Sequence, residues 1–289
     1  MSYKRANKIF DASIILITVL AVLLCIIPVL NVIAVSLSSN SAILNGEVFL
    51  LPKEFTLEAY GAIFKDGSML WSLGYTVILT AGYTFLAMVL TIFAAYALTK
   101  KRLKGRNIFL LLIVFTMYFS GGIIPDYLLI KNLNFLDRVW SLVLPGAVSA
   151  FNLIVLKSFF QTMPESLEES AILDGCTDVG VLFRIVLPLS KAALATISLY
   201  YAVGKWNSFQ DALFYISNQK LYPLQLKLYQ IVKNSQALDV SMGDANSSSI
   251  LPESLKNACV VFATIPIVLV YPKLQKYFVS GVTIGAVKG

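Results

Sequence analysis

Histidine is missing from the 289 residues, and acidic and basic residues together make up only 13% of the chain. Without histidine the protein lacks the side chain that ordinarily changes charge near neutral pH, a frequent general base and the commonest metal ligand. Cysteine is scarce: Cys25, Cys176 and Cys259 stand singly, the first and last inside apolar runs. Cysteine there acts as a small hydrophobe, so neither a disulfide framework nor a metal site is implied. No stretch has the G-x-x-x-x-G-K spacing of a phosphate-binding loop, and no carboxylates are paired at metal-ligand spacing. These absences argue against catalysis by this chain alone.

What is abundant is apolar surface. Hydrophobic residues make up 57% of the sequence, far too many for a soluble domain of this length, so the chain reads as an all-α polytopic membrane protein. A net charge of +7 could suggest nucleic acid, but many of the basic residues are clustered beside apolar runs. That is the pattern that orients membrane spans, and no nucleic-acid partner is implied.

Apolar runs predict six spans, at about 14–35, 69–98, 108–124, 140–160, 193–216 and 258–274, in a single transmembrane domain over 1–289. The first follows Lys4, Arg5 and Lys8 and exceeds the length of a signal-peptide core, so it reads as retained, although Ala34-Val35-Ser36 resembles a cleavage site. Lys100, Lys101, Arg102, Lys104 and Arg106 form the densest basic cluster and predict a cytoplasmic loop after the second span. Counting from there places both termini inside and the regions 37–68 and 217–257 outside. Gly121-Gly122 and Pro125-Asp126 are expected to break the third span near the outer face, with an interfacial segment carrying Tyr127, Leu128 and Leu129 after it.

The connector 162–192 between the fourth and fifth spans is the most ordered polar stretch. Thr162 and Glu165 have capping-box spacing with Pro164 in the first turn, and Glu165, Glu168 and Glu169 suit a helix start. Asp174-Gly175 is a stop signal. A second amphipathic segment, with Val181, Leu182, Ile185 and Val186 among its apolar positions, runs to Leu187-Pro188. Helix, turn, helix with an apolar face outside the bilayer calls for a partner.

In the fifth span, Tyr200, Gly204, Asn207, Asp211 and Tyr215 fall at helical spacing on roughly one face, with Lys205 beside them. Two readings stand. Aromatic rings with hydrogen-bonding side chains suit a sugar pathway, whereas Asn207 and Asp211 equally suit bonding between helices.

The run Glu169, Ser170, Ala171, Ile172, Leu173, Asp174, Gly175, followed by Phe183, Ile185, Leu187 and Pro188, resembles the EAA loop of permease subunits of binding-protein-dependent ABC importers. Trp206-Asn207 with Phe209, and the C-terminal run 276–289, are similar to the carbohydrate branch that includes the maltose-type G subunit. The runs 119–125 and 222–226 resemble a subgroup handling oligosaccharides or polysaccharide fragments. The resemblance implies a loop that docks on a cytoplasmic ATPase, with Glu169 meeting a basic residue, Ala171 packing closely and Gly175 setting the turn. Ser170 and Cys176 stand where the motif commonly has other small residues. It also implies a tail contact through Gly281, Gly285 and Lys288. The implied partners are a second, unlike permease, two ATPase copies, an extracytoplasmic solute-binding protein and membrane lipid. This chain then holds no cofactor, ATP and magnesium belonging to the ATPase. Rival expectations are another solute class, an ion-coupled carrier using Lys205 and Asp211, and a membrane-embedded enzyme, for which the chain shows no catalytic constellation.

Overall fold

The computed structural model describes residues 2–241 and 253–286, with side-chain surroundings described for 10–233 and 253–270. Every regular element among the described residues is helical. Among the described residues three helices are long and apolar enough to cross a membrane unaided, Phe10–Ser36, Ser68–Thr99 and Glu253–Val270, or up to five spans if each of two bent pairs is one. Helices satisfy their own backbone, which is why they can lie in hydrocarbon.

Chain contacts divide the protein into two units, Met1–Leu70 with Leu228–Ile265, and Trp71–Lys227 with Pro266–Gly289. In the first, Phe10–Ser36 buries none of its apolar window. Beyond it the chain is tied down locally. The Ser38 hydroxyl donates to the Ala34 carbonyl at 2.7 Å and accepts the Lys53 amide at 3.0 Å. The Glu54 carboxylate accepts from Ser39 and Ser41, and these bonds hold its carboxyl below the usual range. Phe64 meets Phe262 edge to face at 6.1 Å.

The second unit is built on the Ser68–Thr99 helix. Two of its threonines reach sideways: the Thr76 hydroxyl accepts the Leu224 amide at 2.8 Å, and Thr91 shares a 2.7 Å hydroxyl bond with Tyr201. Leu142, Leu153, Leu156, Leu182 and Ile197 fill the core around it.

The helices of this unit are broken at three places: the first is the break expected at Gly121-Gly122, while the other two fall where continuous fourth and fifth spans were expected. Arg106–Tyr118 and Ile123–Asn132 are bent by 117°. The break lies at 119–122, with Gly122 at φ 89°, while Pro125 sits inside the first turn of the second helix, where a missing amide costs nothing. The stretch expected as a fourth span is one turn, Trp140–Val143, and an 11-residue helix, Ala150–Phe160. Pro145 and Gly146, the latter at φ 72°, interrupt it. Eleven residues rise only about 16 Å, half of a bilayer core of roughly 30 Å. The fifth run is Lys191–Asn207, an extended Ser208, and Gln210–Tyr215.

Candidate functional site

Two places in the second unit gather chemistry. The first is the 162–192 connector. Its first helix runs Glu165–Leu173 and buries no residue. The expected capping box does not form. Thr162 instead donates its hydroxyl to the Phe159 carbonyl at 2.7 Å, because it directly follows Ala150–Phe160, whose last carbonyls lack partners. Pro164 occupies the cap position, and Glu165 and Glu168 lie in the first turn.

The stop at Gly175 is as expected. Gly175 has φ 82°, its amide reaches the Ile172 carbonyl at 3.0 Å, and the Cys176 amide reaches the Ala171 carbonyl at 2.9 Å. These two bonds define a Schellman motif, which needs the left-handed residue glycine supplies. Thr177 then caps the second helix, accepting the Gly180 amide at 3.2 Å. Gly180 leaves room for this turn: a Cβ there would stand 2.8 Å from the Cys176 sulfur. Thr177 and Gly180 escaped the sequence reading, although a threonine three residues before a glycine, just past a stop signal, is a usable start cue.

The second helix, Asp178–Leu189, includes a wider π turn over Leu182–Val186 and bends 85° into Lys191–Asn207. Val181, Leu182 and Val186 are buried within the chain, so they are not the surface that awaits a partner. The open apolar residues are Leu167, Ile172, Leu173 at 87% exposure, Val179, Phe183 and Leu189.

Charge around the connector is strongly sorted. Lys100 pairs with Glu168, Lys101 with Glu165 at 2.6 Å, and Arg102 with Asp178. The Glu169 carboxylate makes no hydrogen bond or ion pair among the described residues, and the residue is exposed. Hydrogen bonding and charge from Lys101 hold the Glu165 carboxyl below its usual range. Burial alone would push the Lys100 ammonium down, but Glu168 and Tyr96 outweigh it and raise it. The stabilisation from that lysine is fully present below its ordinary pKa and fades only as pH rises through the elevated one. A cavity of about 320 Å³ opens between the basic run and Glu165, Glu168, Glu169 and Ile172.

The second place is interior. Lys205 is buried, with its ammonium 3.1 Å from an Asp211 oxygen and 5.0 Å from the centre of the Tyr83 ring. Six residues of continuous helix would turn 600°, leaving the two side chains about 120° apart around the axis and about 9 Å apart along it. The break at Ser208 is what lets them meet. The Tyr83 hydroxyl donates to the Gly146 carbonyl at 2.7 Å, freed by the interruption after Val143. A cavity of about 240 Å³ lies among Tyr83, Pro145, Gly146, Gly204, Lys205, Ser208 and Asp211.

Of the expected fifth-span face, the structure therefore gathers Gly204 and Asp211. Asn207 turns back on the Val203 carbonyl at 3.0 Å, Tyr200 lies beside Phe151 at 6.4 Å, and Tyr215 is buried against Tyr127 at 6.3 Å. Tyr83, Pro145 and Gly146 were missed because they lie far off in sequence and meet Lys205 only through helix breaks. A larger cavity of about 610 Å³ is lined by apolar residues such as Val77, Phe85, Leu199 and Pro266. Its few hydrogen-bonding groups suit it poorly to a sugar. No cluster of metal-ligating residues occurs among the described residues. Gly281 and Gly285 fall in the described backbone of Glu253–Ala286, while Lys288 lies outside the described residues.

The family described as binding-protein-dependent transport system inner membrane component matches residues 83–284. The polygalacturonan/rhamnogalacturonan transport system permease protein YtcP of Bacillus subtilis is 44% identical over 284 residues, 98% of this chain and 99% of that one. The arabinooligosaccharides transport system permease protein AraQ of the same species is 28% identical over 272 residues, 92% of each chain. A crystal structure of a bacterial ABC transporter involved in the import of the acidic polysaccharide alginate contains a chain that superposes with a TM-score of 0.86 at 32% identity, covering 95% of this chain and 98% of that one.

Proposed function

We propose a transport role from one premise: the chain belongs to the family of binding-protein-dependent transport system inner membrane components. It is a multi-pass permease subunit of an ABC importer in the cell membrane, working in carbohydrate uptake. Its substrate is an oligosaccharide or polysaccharide fragment, a reading supported by the polygalacturonan/rhamnogalacturonan, arabinooligosaccharide and alginate systems among its relatives.

The connector is the surface that docks on the ATPase. The observation that carries this is the Glu165–Leu173 helix, which buries nothing of itself and presents the unpaired Glu169 beside open apolar residues. Ser170, Ala171, Asp174 and Gly175 complete that face and its turn, and Leu187-Pro188 closes the second helix. A carboxylate and a greasy patch together fit a cleft with a basic residue in an apolar wall. In the full assembly the chain stands beside a second, unlike permease over two ATPase copies, receives substrate from an extracytoplasmic binding protein, and crosses the membrane six times with both termini inside. The tail residues Gly281, Gly285 and Lys288 reach the ATPase interface. The Lys205–Asp211 cavity, with Gly204, is the polar part of the pathway, and Tyr200, Asn207 and Tyr215 flank it.

The test is co-purification with the ATPase and second permease, comparing wild type with Glu169→Arg. Loss of ATPase from the variant, with the permease pair intact, is the expected result. Retention at wild-type levels with unchanged hydrolysis would sink the docking assignment.

A further inference from the structure

The basic run at 100–102 was read from sequence as a topology signal, yet all three of its side chains are occupied by the connector. Lys100 and Lys101 take Glu168 and Glu165 on the helix before Gly175, and Arg102 takes Asp178, the first residue of the helix after it. Tyr96 joins both sides. Its ring lies 4.1 Å beneath the Lys100 ammonium, and its hydroxyl donates to the Asp178 carbonyl at 3.2 Å. Of the connector's five carboxylates these contacts engage Glu165, Glu168 and Asp178, leaving Glu169 and Asp174 open.

We propose that Tyr96, Lys100 and Arg102 form a two-armed brace that fastens both helices of the connector to the end of the Ser68–Thr99 helix. The brace passes movement of the docked connector into that helix as a rigid lever. It rests on the docking role proposed above for the connector. The lever is continuous: about 25 Å of unbroken helix separates Lys100 from Tyr83, which touches the Lys205 cavity. Neighbouring segments are broken at 119–122 and 144–149, and the connector's second helix turns by 85° at Ser190 before it continues into Lys191–Asn207, so the Ser68–Thr99 helix is an unbroken connection between the two sites within the second unit. Lys100 carries the larger share, being half-buried and doubly held, while the exposed Lys101 pair is peripheral.

The experiment uses the complex reconstituted with its second permease, ATPase and binding protein, with oligogalacturonides as the transport probe. Lys100→Gln with Arg102→Gln is expected to speed hydrogen exchange across 165–181 about five-fold or more and to cut uptake per ATP hydrolysed roughly ten-fold, with the ATPase still bound. Glu168→Gln with Asp178→Asn should give the same pattern, which a topology signal does not predict because acidic residues contribute little to orientation. Lys100→Arg with Arg102→Lys should restore coupling. Lys104→Gln, which removes an equal charge, should match wild type. Unchanged exchange in the Gln pair overturns the brace, as does the same loss in Lys104→Gln. Faster exchange with undiminished uptake per ATP overturns the lever. Faster exchange in a wild-type-like complex that never retains ATPase overturns the docking role while leaving the brace in place.

Discussion

At the connector, Lys101 meets Glu165 with 78% and 71% of the two side chains exposed, whereas in the interior Lys205 meets Asp211 with only 6% and 34% exposed. Both are lysine–carboxylate pairs, but their surroundings give them opposite physics. Water and salt already screen the first, so its geometry is adjustable and losing it costs little. The second is shielded on the cationic side, so its partners cannot be separated without stranding a charge. The exposed connector is held by weak, numerous pairs; the interior cavity at the helix breaks is held by one shielded pair.

The two pairs should differ most at Asp211. Asp211→Ala should destabilise the subunit by about 3 kcal/mol, toward the lower end for removing one partner of a buried pair because the carboxylate is one-third exposed. Replacing both, Lys205→Met with Asp211→Leu, should recover most of that loss in detergent thermal unfolding. If the single variant melts like wild type, the interior pair is no stronger than a surface one.

A middle-sized effect is expected at the turn. Gly175→Ala should cost about 1–2 kcal/mol, purely from the left-handed backbone, since nothing stands within 4 Å of the added carbon. Gly175→Asn should cost less, because asparagine tolerates that region. Equal melting of both variants would show that the turn relaxes.

The smallest effect concerns Glu165. Its carboxyl is held low in the folded chain, so its stabilisation is present above the ordinary carboxylate pKa near 4.5 and is lost as pH falls through the depressed value. Lys101→Gln should erase this acid dependence and leave neutral-pH melting nearly unchanged, and added salt should mimic the substitution. A large change at neutral pH would mean that the exposed pair behaves like the buried one.

How far the sequence could be read follows the same division. Gly175 was legible because a helix stop is a local matter of backbone conformation, and its two hydrogen bonds join residues three and five apart. The Thr162 capping box was misread because the same threonine had a nearer use at the end of the preceding helix. Val181, Leu182 and Val186 carried the right periodicity, but periodicity marks an apolar face without saying what covers it. The fifth-span face failed at Asn207, where an extended Ser208 ends the helix that the spacing assumed.

By itself the sequence determined a helical membrane chain, the family resemblance, the connector and its turn, because these depend on composition, short-range periodicity and local backbone preference. Tertiary structure alone decided that the basic run grips the connector, with Lys100 and Glu168 68 residues apart, and that Lys205 meets Asp211 beside Tyr83 and Gly146. Those contacts need helices to break and pack against distant partners. No local pattern encodes which two distant charges a break will bring within 4 Å.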